Sequence, residues 1–129
     1  MMYSDTLYLL DKEFMEQQKR KKRQANMTSE VFNKHLRYMQ EVTVDTLTAK
    51  AAEYASDGDR LHNFKVAAAT QGITPMKALG GMMCKHTVSV YDMIGSGDTY
   101  PLPLWEEKIK DSINYLFLLW ALVNEEAGA

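Results

Sequence analysis

The run Tyr115-Leu116-Phe117-Leu118-Leu119-Trp120-Ala121-Leu122-Val123 restricts the fold of this chain more than any other feature. A helix drawn through it is apolar on every side, and such a helix must be surrounded, by other helices of the chain or by a second subunit. The run is too short to span a bilayer, which takes about 20 residues, so no membrane association is expected. The rest of the chain offers helices as neighbours. From about Asp5 to Ala25 there is no Gly or Pro, and Leu7, Leu10 and Phe14 recur at helical spacing before the basic run Lys19 to Arg23. Thr28-Ser29-Glu30 predicts a second helix start, with a hydroxyl cap and an acid at the positive end of the dipole. Phe32, Leu36, Met39, Leu47, Ala51 and Tyr54 keep one face apolar as far as Ser56-Asp57-Gly58, which reads as a stop. Asp59 is expected to cap a shorter third helix ending at Gly72. Thr74-Pro75, a hydroxyl followed by proline at the first helical position, is the clearest helix start in the chain. That fourth helix is expected to end near Ile94, before Gly95. Gly95 to Pro103 is rich in turn formers and reads as an exposed connection, and a last helix runs from about Leu104 to Glu126. No alternating run is bounded as a strand. The expected fold is all-α: a compact bundle of four to five helices in one domain over 1–129, with 1–27 an amino-terminal helix with a basic end and 28–126 the core bundle.

Composition narrows the class further. A chain of 129 residues buries a real core as one domain. A net charge of -2 gives no general attraction to nucleic acid or anionic lipid, so nucleic acid is not an expected partner. Cys84 is the one cysteine and has nothing to pair with inside the chain, which suits a reducing compartment. Asp5, Asp11 and Glu13 interrupt the amino-terminal apolar residues, so no signal peptide is read there and a cytoplasmic location is expected. There is no phosphate loop and no two-histidine zinc spacing. No nucleophile elbow is present either.

Three groups of polar residues can carry chemistry. In the first, Lys50, Glu53, Tyr54 and Asp57 share one side of a helix end, and Asp59, Arg60, Asn63, Phe64 and Lys65 follow on the next helix across the Gly58 turn. The second is Lys85-His86, in an apolar stretch that also holds Gly80-Gly81 and Met82-Met83. The paired glycines weaken that helix by about 1 kcal/mol each, which points to close approach of a helix or a ligand; the methionines read as adaptable core filler. The third is Glu106, Glu107, Lys108, Asp111, Asn114 and Tyr115, with Asp111 and Asn114 standing where the last helix enters the core. A carboxylate there needs a cation, a donor or a metal. Without a ligand, the same residues are helix caps, exposed ion pairs and a hydrogen-bonded interior histidine.

These strings carry a resemblance. Lys50 to Lys65, then Gly72-Ile73-Thr74-Pro75, Lys85-His86 and Asp111-Ser112-Ile113-Asn114-Tyr115, resemble small bacteriophage and prophage proteins grouped as a nucleotide-modification-associated family. The resemblance covers about Leu47 to Glu125 and implies a helical protein tied to phage nucleotide metabolism, acting in host cytoplasm, with no particular reaction. The chain is more distantly similar to all-helical MazG-type nucleotide pyrophosphohydrolases. Those hold magnesium with pairs of carboxylates three residues apart on neighbouring helices. Here Glu53 and Asp57, and Glu107 and Asp111, stand four apart, with Lys50 and Lys108 among them.

The residues and the resemblance converge on phosphate. Lys50, Arg60, Lys65, Lys85 and His86, with the amides of the helix starts at Asp59 and Thr74, make an expected anion site. Tyr54 or Phe64 can stack on a base, while Asn63 and Asn114 can read its edge. The leading expectation is a phage-type protein that binds a nucleotide or nucleotide-derived small molecule, for instance by sequestering a host signalling nucleotide. The alternative is a magnesium-dependent pyrophosphohydrolase using Glu53, Asp57, Glu107 and Asp111. A third is a non-catalytic helical protein docking a partner through Lys19 to Arg23. The apolar run predicts a homo-oligomer, most simply a two-fold dimer.

Overall fold

The computed structural model describes residues 9–17, 26–54 and 58–128, the side chains of 52–54 excepted. Among the described residues every regular element is a helix: α1 at 9–17, α2 at Ser29–Tyr54, α3 at His62–Gln71, α4 at Pro75–Ser96 and α5 at Leu102–Glu126. The fold is all-α, as the helical spacing predicts. Leu7 and the basic run Lys19 to Arg23 lie outside the described residues.

The helix ends follow local chemistry. Thr28 Oγ1 accepts from the Val31 amide at 3.2 Å and opens α2. Thr74 Oγ1 accepts from the Lys77 amide at 3.2 Å, and Pro75 is the first residue of α4. Gly72 closes α3 in the left-handed region, φ 67°, and the Ile73 amide reaches back to the Ala68 carbonyl at 2.9 Å. Two expected ends move. Asp59 does not cap α3: its carboxylate accepts from the Leu61 amide, only two residues on, at 2.9 Å, so it closes the turn before the helix. The helix then begins at His62, with no side-chain cap. Likewise α4 runs through Gly95 to Ser96, because Gly95 stays helical and Gly97, at φ 73°, is the residue that turns the chain. At the next helix Pro101 takes the capping position, so α5 opens at Leu102, ahead of the expected Leu104.

Contacts divide the chain within α2, into Met1–Leu36 and Arg37–Ala129. The first unit contains α1, whose Leu9, Leu10, Phe14 and Met15 are exposed. In the second unit α4 packs against both α3 and α5. Leu61, Phe64, Leu79 and Leu122 form its buried centre, and Met82, Met83, Tyr115, Leu118 and Leu119 pack around them. Burial of this kind is worth about 1.5–3 kcal/mol for each large apolar side chain. The apolar run on α5 is enclosed on one side only: Leu122 is buried, whereas Leu116, Phe117, Trp120 and Val123 are exposed. Among the described residues of the second unit, α5 therefore does not receive the all-round cover that its sequence calls for.

Candidate functional site

Four helices of the second unit converge on a cavity of about 290 Å³. Each contributes a stripe at helical spacing, which is why residues distant in sequence meet there. Thr46, Leu47 and Lys50 come from α2; Arg60, Asn63 and Phe64 from α3 and the turn before it. Met82 comes from α4, and Asp111, Asn114, Tyr115 and Leu118 from α5. Five of the expected binding residues, Lys50, Arg60, Asn63, Phe64 and Asn114, thus line one cavity.

The walls differ in chemistry. Lys50 and Arg60 bring positive charge, and among the described residues neither has an ion pair. The aromatic side runs from Phe64, edge-on to Tyr115 with ring centroids 6.4 Å apart, to His86, tilted against Tyr115 at 4.8 Å. His86 Nδ1 lies 3.8 Å from Asp111 Oδ2, so the histidine stands behind the tyrosine and touches the acid of the wall. Asn114 is only 6% exposed, and among the described residues its buried Oδ1 has no hydrogen-bond partner. Buried side-chain acceptors are nearly always paired. Asn114 is also one of the residues of the cavity wall. Thr43, buried one turn before Thr46, spends its hydroxyl inside α2 on the Met39 and Gln40 carbonyls, at 2.8 and 2.9 Å.

Other expected residues lie elsewhere. Lys65 Nζ is 2.7 Å from Asp59 Oδ2 and 2.7 Å from Glu125 Oε1, so these three tie the start of α3 to the end of α5. The hydrogen bond from Lys65, then that from the Leu61 amide, holds the Asp59 carboxyl below its ordinary range. The bonds to Asp59 and Glu125 raise the Lys65 ammonium above its own. Lys85 lines a separate cavity, and His86 reaches the first one only through Tyr115 and Asp111. The side chains of Glu53 and Tyr54, and all of Asp57, lie outside the described residues. Of the two remaining proposed magnesium ligands, Asp111 is in the wall while Glu107 is exposed and does not line it. Among the described residues no three His, Cys, Asp or Glu side chains are grouped to hold a metal ion.

Sequence reasoning missed Thr46 and Leu47, although they stand four and three residues before Lys50, on the same helical face. It also gave Tyr115 no role in the site, despite its place four residues after Asp111. No family model matches the chain, and neither does any curated protein or solved structure.

Proposed function

We propose that the second unit binds a nucleotide or nucleotide-derived small molecule in the four-helix cavity. The observation that carries this reading is the meeting of Lys50, Arg60 and the side-chain amide of Asn114 in one cavity wall. The amide calls for a hydrogen-bonding partner, and the two cations call for an anion. Phe64 and Tyr115 add an aromatic side against which a flat ring can pack. A base edge, a ring face and a phosphate answer all three demands at once. The cavity is near the lower end of the roughly 300–1000 Å³ range of small-molecule pockets, which fits one nucleoside. The resemblance to phage nucleotide-modification-associated proteins points the same way, and host cytoplasm, where the exposed Cys84 stays reduced, is the fitting compartment.

The test is a thermal-shift panel of nucleotides, each with and without magnesium. Stabilisation without metal is the expected result. Stabilisation that requires magnesium would transfer the site to the pyrophosphohydrolase reading, and a flat panel would end the nucleotide reading. Arg60→Ala should lower the affinity of any nucleotide that binds by about 1.5–3 kcal/mol, the worth of one charge-assisted hydrogen bond, as read by calorimetry.

We also infer that the chain self-associates. Val88, Tyr91 and Ile94 on α4 and Leu116, Phe117 and Trp120 on α5 are exposed apolar side chains on neighbouring helices. Met83, Val90 and Leu116 line an apolar groove between the two. A second copy of the same face supplies the cover that α5 lacks among the described residues of the second unit.

A further inference from the structure

A second cavity, of about 440 Å³, adjoins the first, and Met82 and Tyr115 line both. Those two side chains are therefore a shared wall, the partition between the two. The rest of the second chamber is Gln71, at the end of α3, with Lys77, Ala78, Gly81 and Lys85 on α4. Lys77 and Lys85 stand eight residues apart, about 12 Å along the helix, and bracket Gly81. Both lysines are exposed, and among the described residues neither has an ion pair. Lysine offers a phosphate a compact positive charge.

Gly81 lies in the wall of this second chamber. Glycine inside a helix weakens it relative to alanine, and the usual compensation is the close approach of another element. Among the described residues that approach is not seen: a Cβ built at Gly81, as at Gly80, meets nothing within 4 Å. Gly81 instead lines the second chamber, where a side chain would take up room.

We propose that the binding site has two chambers and that its ligand is a nucleotide with two separated phosphate groups. Lys50 and Arg60 hold one phosphate; Lys77 and Lys85 hold the other, across the Met82–Tyr115 partition. The inference rests on the reading that the first chamber takes a nucleotide. Two sources share this chemistry, nucleoside 3′,5′-bisphosphates and 5′-phosphorylated linear dinucleotides, and the experiment separates them.

Calorimetry on the full chain would use nucleoside 5′-monophosphates of each base, the corresponding 3′,5′-bisphosphates and 5′-phosphorylated dinucleotides, with inorganic phosphate as a charge control. At least one two-phosphate probe should bind about tenfold or more tighter than its monophosphate, and whichever set shows the gain identifies the source. The double variant Lys77→Gln/Lys85→Gln should erase that gain, so that two-phosphate and monophosphate probes bind it alike. Gly81→Leu, which fills the second chamber, should erase it too, with Tm at or above that of the native chain. If monophosphates bind and the second phosphate adds nothing, the two-chamber site is wrong and the nucleotide reading stands. A gain that survives the double lysine variant places the second anion elsewhere and also overturns the proposal. Should no nucleotide probe bind, both readings fall together.

Discussion

A buried acceptor left without a donor destabilises a fold by roughly 1–3 kcal/mol, so at Asn114 stability and binding pull in opposite directions. Asn114→Leu keeps the volume and removes the orphaned oxygen. The free protein should gain stability of that order, visible as a higher Tm, while the nucleotide-induced shift disappears. A variant that is less stable and still binds would show that Asn114 serves the fold instead. At this scale part of the cavity wall was legible. Lys50, Arg60, Asn63, Phe64 and Asn114 carry polar or aromatic groups at spacings that place them on facing stripes, and the structure brings them together. Thr46, Leu47, Met82 and Leu118 were not legible as wall, because small or apolar residues at helical spacing look alike whether they face a core or a cavity. Lys65 was misplaced for a different reason. Its partner Glu125 lies sixty residues downstream, and no local pattern shows that the end of α5 comes to the start of α3.

Helix ends behave as separable units. Gly95 and Gly97 lie two residues apart yet differ in backbone: Gly95 is helical, while Gly97 is left-handed at φ 73°. Gly95→Ala should therefore stabilise the protein by up to about 1 kcal/mol through helix propensity, since an added Cβ there meets nothing within 4 Å. Gly97→Ala should destabilise it by about 1–2 kcal/mol, because a side chain is strained in the left-handed region. Chemical denaturation of the two variants checks the opposite signs; equal signs would contradict the placement of the helix end. The Asp59–Lys65–Glu125 bridge sets a pH dependence. The folded Asp59 carboxyl titrates below its unfolded value of about 3.9, so its contribution is complete above that value and is lost as pH falls through the lowered one. The folded Lys65 ammonium titrates above about 10.4, so its contribution is complete below that value and is lost as pH rises through the raised one. Lys65→Met should flatten the acid limb of a plot of Tm against pH from about pH 5 downward. An acid limb unchanged by the substitution would remove the bridge from the account. Turn and cap chemistry made Thr28, Gly72 and Thr74 readable as boundaries. Choosing between Gly95 and Gly97 needed the backbone angle itself.

At the scale of the molecule, the apolar run on α5 announced a need for cover that the described residues of the second unit meet only in part. Size exclusion with light scattering across a dilution series should give a mass above one chain, and Trp120→Glu, at a side chain 68% exposed, should reduce it to one chain without loss of helix. A mass of one chain at every concentration would remove self-association. The all-α class was plain from periodicity; the assembly of the helices was not, since spacing says which face is apolar and not which neighbour receives it. That assembly has a dynamic consequence. In the second unit the tightly packed pairs are α3 with α4 and α4 with α5. α2 meets α5 through the hydrogen bond from the Tyr38 hydroxyl to Glu106 and shares with the other helices the walls of the first cavity. A molecule seated there stands in for side chains that the chain does not supply, bracing Thr46, Leu47 and Lys50 against the other three helices. Hydrogen–deuterium exchange would then show α2 as the segment that opens most readily in the free protein and gains the most protection when the cavity is filled.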